Sequence, residues 1–160
     1  MDEEKLLREH LLELLLGRSA HIDLESAVAD FPIDQINTVI KGSPHTAWQL
    51  LEHIRIAQWD ILEFSREADH VSPDWPDGYW PTAQGTADKW SASLEQVRRD
   101  QQSMRDLVED DNTDLYAKIE HGEGQTILRE ALLVADHNAY HLGQLVLIKR
   151  MLEHGTKISS

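Results

Sequence analysis

The chain has 160 residues, a length that suits one domain with a core large enough to hold without covalent staples. It contains no cysteine, which excludes disulfides, thiolate zinc sites and a cysteine nucleophile. Fifteen basic residues stand against 29 acidic ones, a formal charge of −14, and that balance argues against a polyanionic partner such as DNA or RNA.

The start, Met1-Asp2-Glu3-Glu4-Lys5, is acidic and leads into a short leucine-rich stretch, unlike the basic start and longer apolar run of a secretory signal. No stretch approaches the ~20 apolar residues of a membrane span. The expectation is a soluble cytoplasmic protein folded as one domain over residues 1–160.

Helical spacing dominates, with no sustained strand alternation. The first helix is predicted from about Glu3 to Leu16, with Leu7, Leu11 and Leu14 on one side and Gly17 as its stop. Asp23 to Asp30 reads as a short helix ahead of Pro32. A second long helix is predicted from Ser43 as N-cap and Pro44 in the first turn, through Leu50, Ile54, Ala57, Ile61 and Phe64, to about Arg66. The segment His70–Pro81 holds three prolines with Trp75, Gly78, Tyr79 and Trp80, the composition of an ordered loop lying over something. A third helix runs from about Thr86 to Glu109, with Trp90, Leu94, Val97, Met104 and Val108 as its stripe. After a polar connection, the fourth starts near Gln125 or Thr126 and reaches about Glu153. Its apolar arc is so wide that it must be packed by several neighbours. Four long helices predict an all-α fold, an antiparallel four-helix bundle.

Nine histidines make this residue type the first to examine. His137 and His141 are four apart on the fourth helix, hence within about 40° of each other around it, and both fall on its apolar side. A buried imidazole carries a donor and an acceptor that need partners. Two core histidines bonded to backbone or carboxylate would meet that need as well as two ligands would. His53 weighs toward ligands, because it lies about 60° from the centre of the apolar stripe of the second helix. His45 is expected on the opposite side, with Glu52 and Glu63, and about 12 Å from His53 along the axis. His10, His21, His70, His121 and His154 fall near helix ends or in loops and read as solvated. Three inward imidazoles suit zinc, nickel, iron or copper, and three protein ligands leave a coordination position open.

At these residues the sequence resembles the DinB-like superfamily. The resemblance is carried by Trp48-Gln49-Leu50-Leu51-Glu52-His53 on the second helix and Asp136-His137-Asn138-Ala139-Tyr140-His141-Leu142-Gly143-Gln144 on the fourth. It implies a four-helix bundle, a divalent metal ion (zinc or nickel foremost, then iron or manganese) held by His53, His137 and His141, and a homodimer. Relatives of this kind transfer a low-molecular-weight thiol to an electrophile or isomerise a substrate with thiol assistance. The expected partner is therefore a small-molecule substrate, with a low-molecular-weight thiol as the leading class.

Around the ligands, Asp60 lies seven residues after His53, and Glu130 seven before His137. Each is a candidate to orient a ligand or act as base, or else an ordinary solvated or paired carboxylate. Gln144, three after His141, is placed to face the site or to make a packing or dimer contact. Trp75, Tyr79 and Trp80 either roof a pocket or pack their loop onto the bundle. Three functions fit the pattern: a metal-dependent thiol S-transferase, a hydrolase using metal-bound hydroxide, and a non-catalytic metal-binding stress protein.

Overall fold

The computed structural model describes residues 3–155 and is all-helical among them. The elements are α1 (Glu3–Leu16), α2 (Leu24–Val28), α3 (Ala47–Arg66), α4 (Ala87–Glu109) and α5 (Ile127–Gly155), with 3-10 turns at Ile33–Gln35 and Asp77–Tyr79. Helix α1 stops at Gly17, whose φ of 66° lies in the left-handed region that side chains disfavour. The expected Ser43 cap is corrected. The cap lies three residues later, at Thr46, whose hydroxyl accepts from the Gln49 amide while the Gln49 side chain accepts from the Thr46 N–H, and helix α3 begins at Ala47. That reciprocal pair satisfies two free donors at once and outcompetes Ser43, whose hydroxyl is turned onto the His45 carbonyl instead. Thr86 caps α4 by accepting from the Lys89 amide, and Thr126 serves α5 the same way through the Arg129 amide.

The contacts fix the directions of the helices. Along α3 and α5 they run in opposite order: His53 meets His141, whereas Gln58 meets Asn138. Leu15 meets Gln101 and Arg8 meets Val108, so α1 and α4 are also antiparallel. Helices α3 and α4 run the same way, because Glu52 meets Ser93 and Gln58 meets Val97. The bundle is thus antiparallel in those two pairs and parallel in this one. Consecutive parallel helices cannot be joined by a short turn. The connection 67–86 must travel back along the bundle, as in bundles with a long crossover.

The return end of that crossover is pinned to the start of α3. Trp48 Nε1 donates to the Ala83 carbonyl at 2.9 Å, and Asn37 bonds both the N–H and the C=O of Gly85. A Cβ at Gly85 would stand 2.5 Å from the Trp48 ring, so only glycine lets the backbone approach so closely. The apolar core has two parts. One gathers Trp48, Leu50, Leu51, Ile54, Trp90, Val97, Leu142 and Leu145. The other gathers Leu62, Met104, Leu115, Ala131 and Val134 with Leu11 and Leu15 of α1. Between them lies a polar level containing Gln58, fully buried, whose amide donates to the Val97 carbonyl and accepts from Asn138.

Arg8 closes the far end. It is 6% exposed and its guanidinium donates to the carbonyls of Val108 and Thr113, both at 2.6 Å, of Asp110 at 3.2 Å, and to Glu4. Carbonyls at a helix C-terminus lack intrahelical partners and carry the negative end of its dipole, so a cation held there satisfies both needs. Replacing Arg8 with alanine removes the guanidinium from one buried and two partly buried carbonyls. Urea unfolding of Arg8→Ala is expected to show a loss of about 2–4 kcal/mol, with the metal content of the folded protein unchanged.

Candidate metal centre

Helix α3 contributes His53 and helix α5 contributes His137 and His141, and the antiparallel packing of the two brings all three rings together at the edge of the polar level. His53 is 3% exposed and His141 9% exposed, while His137 is half-buried. The Nε2 atom of His53 stands 3.1 Å from Nε2 of His141 and 3.0 Å from Nε2 of His137. These three form the metal-competent cluster found among the described residues, and no carboxylate joins them.

The opposite ring nitrogens decide what the cluster can hold. His53 Nδ1 lies 3.0 Å from the Tyr79 carbonyl, which only accepts, so Nδ1 carries the hydrogen and Nε2 a lone pair. His141 Nδ1 lies 2.9 Å from Gln144 Oε1, which leaves a lone pair on its Nε2 in the same way. Two lone pairs therefore face each other at 3.1 Å, an arrangement that repels unless a cation sits between them. Ions bound to histidine at about 2.0–2.1 Å space their ligand nitrogens roughly 3.0–3.4 Å apart, so these distances fit an imidazole-bound ion. His137 Nδ1 is buried and unpaired, as is Asn138 Oδ1 beside it. The Val97 carbonyl fixes the Gln58 amide, which in turn holds the Asn138 nitrogen, so Asn138 Oδ1 is the acceptor left over for His137.

Protonation points the same way. Burial, followed by the neighbouring imidazoles His141 and His53, pushes His137 from 6.5 down to about 4. Burial also lowers His53 and His141, against the opposing pull of the Tyr79 carbonyl and Gln144 respectively. Neutral imidazole is the form that ligates.

The crossover supplies the roof. Trp80 stacks on His53 with ring centroids 3.9 Å apart and planes 2° apart, and His45 stacks on the other face of Trp80 at 3.8 Å. His45 therefore does not project away as its helical phase suggests. It precedes the first turn of α3, so the phase does not apply to it. Glu52, expected on the same side as His45, is 8% exposed and accepts from Ser93 and Arg55. His70 is likewise corrected from solvated to partly buried: its side chain is 8% exposed and meets Asp60 Oδ1 at 2.7 Å. The other oxygen of Asp60 accepts from the Tyr79 hydroxyl at 2.5 Å, so Asp60 reaches His53 only by holding the residue whose carbonyl holds the ring. Glu130 is 1% exposed and paired with Arg129 at 2.7 Å. Trp75 is 78% exposed and meets only the edge of the Tyr79 ring among the described aromatic contacts, while Tyr140, 65% exposed, meets the His141 ring edge-on. His10, His21, His121 and His154 are exposed as expected.

Gln144 and Tyr79 hold two ligand rings from behind, and short-range sequence spacing signals only Gln144. A sequence model of the DinB superfamily matches residues 18–145, a span containing all three histidines. No curated protein and no solved structure matches the chain.

Two measurements probe the centre. Replacing Gln144 with leucine removes the acceptor for His141 Nδ1, and metal affinity by competition with a chelating dye should fall about 10–100-fold with helical circular dichroism unchanged. The second concerns pH. The unfolded chain takes up the His137 proton near 6.5, the native one only near 4, so the unfolded state binds more protons between those values. Chelated protein should lose stability as pH falls from about 6.5 to about 4 and lose no more from this group below that. The loss attributable to His137 is up to about 3 kcal/mol, and His137→Gln should abolish it in thermal melts.

Proposed function

The chain belongs to the DinB superfamily, and from this footing we propose that it is a divalent-metal-dependent enzyme, a low-molecular-weight-thiol S-transferase. The observation that carries the reading is the three-nitrogen cluster. Three histidines from two helices bring one ring nitrogen each to within 4.8 Å of the others, and no fourth donor joins them among the described residues. Such a set leaves room for an outside ligand, which is the layout of catalytic sites rather than closed structural ones. The apolar core is well filled without it, so the fold has little need of an ion as a staple. Imidazole nitrogens favour zinc or nickel among the common divalent ions.

When bound, such an ion supplies Lewis acidity, lowering the pKa of a coordinated thiol or water and fixing its orientation. The chain supplies the rest. The Tyr79 carbonyl and Gln144 keep two ligand rings in one tautomer and one orientation. Trp80 covers the face of His53 and keeps water from that side. His137 is the most accessible of the three. The chain has no thiol of its own, so the sulfur must arrive on a small molecule. In the transfer, sulfur forms a bond to the electrophilic carbon, the leaving group departs with its electron pair, and the thiol proton passes to solvent.

The test is an assay of zinc- or nickel-loaded protein with a panel of small thiols and an aryl halide electrophile. Thioether formation should require metal and should fall at least 100-fold in His137→Ala, together with metal content. Loaded protein that cleaves an activated ester without consuming thiol would indicate a hydrolase instead. Stoichiometric metal with neither reaction would indicate a binding protein.

A further inference from the structure

Beside the metal centre, the segment leading into α3 and the last third of α5 enclose a cavity of about 290 Å³. Its walls are apolar: Leu50 and Ile148 are buried, and Leu147 and Met151 form a rim, 57% and 40% exposed. Its polar side chains are of a different kind from those of the rest of the surface. The chain carries 29 acidic residues, yet none lines this cavity. Lys41 lines it and makes no ion pair among the described residues. Gln144 gives its oxygen to His141, so its amide nitrogen, with no protein partner among the described residues, is left to face the space. His45, its ring held flat against Trp80, adds a side chain whose ring nitrogens have no hydrogen-bond partner among those residues.

An unpaired cation and an unpaired amide donor over an apolar wall select by charge and by shape. The cation attracts an anion, and the wall requires that the anion carry an apolar body. A volume near the low end of small-molecule sites limits that body to a short one. We propose that this cavity binds a small amphipathic monoanion, its charged end at Lys41 and Gln144 and its apolar part along Leu50, Leu147 and Met151. This supplies a substrate class for the reading above and rests on it only in regarding the anion as substrate. The cavity is linked to the centre on two sides, through Gln144 to His141 and through His45 and Trp80 to His53.

The test uses metal-loaded protein titrated with hexanoate, hexan-1-ol and hexylamine, followed by NMR at the Met151 methyl and the Gln144 side-chain amide. Hexanoate should saturate both signals at least tenfold more tightly than hexanol, and hexylamine should not bind. Lys41→Met should weaken hexanoate about tenfold and leave hexanol unchanged. Leu147→Glu, at an exposed position that does not threaten the fold, should also abolish hexanoate binding by placing a like charge on the rim. Equal affinity for hexanoate and hexanol, or indifference of hexanoate to Lys41→Met, overturns the proposal. So do shifts of these signals with protein concentration in place of ligand, which would mean that a second copy covers the rim. Metal content is read on the same samples. Full metal with no hexanoate binding sinks this proposal alone, whereas hexanoate binding by protein that retains no metal sinks the enzymatic reading alone.

Discussion

Two imidazole lone pairs pointed at each other across 3.1 Å in a nearly dry interior are an unfavourable arrangement, and most of what surrounds them makes sense as the means of enforcing it. Left alone, each ring would rotate or change tautomer until one donated to the other. The Tyr79 carbonyl forbids this for His53, and Gln144 does so for His141. Stacking against Trp80 removes the remaining rotational freedom of His53. The cost of holding unprotonated nitrogens together is met by the packing of two apolar clusters, and a cation placed among them would offset it.

The crossover is the second constraint, and it follows from helix direction. Because α3 and α4 run the same way, the chain must retrace the length of the bundle between Arg66 and Ala87. It passes the level of His53 on the way, which is how Tyr79 and Trp80 come to lie there. Trp48, five residues ahead of His53, anchors the far end of the crossover through Ala83 and its contact with Gly85. The tryptophan of the Trp48-to-His53 pattern thus serves the site from a distance, by fixing the path of the segment that roofs it.

The sequence made some of this legible and hid the rest for identifiable reasons. The helices and the inward phase of His53, His137 and His141 follow from local periodicity, which survives folding because each helix buries one side. Helix direction does not follow from periodicity, since a wheel is the same read up or down. The parallel pair, and with it the function of the crossover, appears only in the contacts. His45 misled because a helical phase was extended across Ser43 and Pro44, before the Thr46 cap. His70 misled because a loop residue is solvated by default, and its partner Asp60 lies on another element. The half-relay of Val97, Gln58 and Asn138 spans three helices, and no spacing along the chain announces it.

The contact between His53 and Tyr79 runs through a backbone carbonyl, and that has a consequence for how the protein can diverge. A side-chain partner ties ligand orientation to one residue type. A carbonyl ties it only to the route the main chain takes. Substitutions in the crossover that keep this route can therefore reshape the surface presented above the centre while the ligand ring stays put. Exposed crossover positions such as Trp75 are in that sense exchangeable, whereas Trp80, Tyr79 and Gly85 are held by their own side-chain or close-packing contacts.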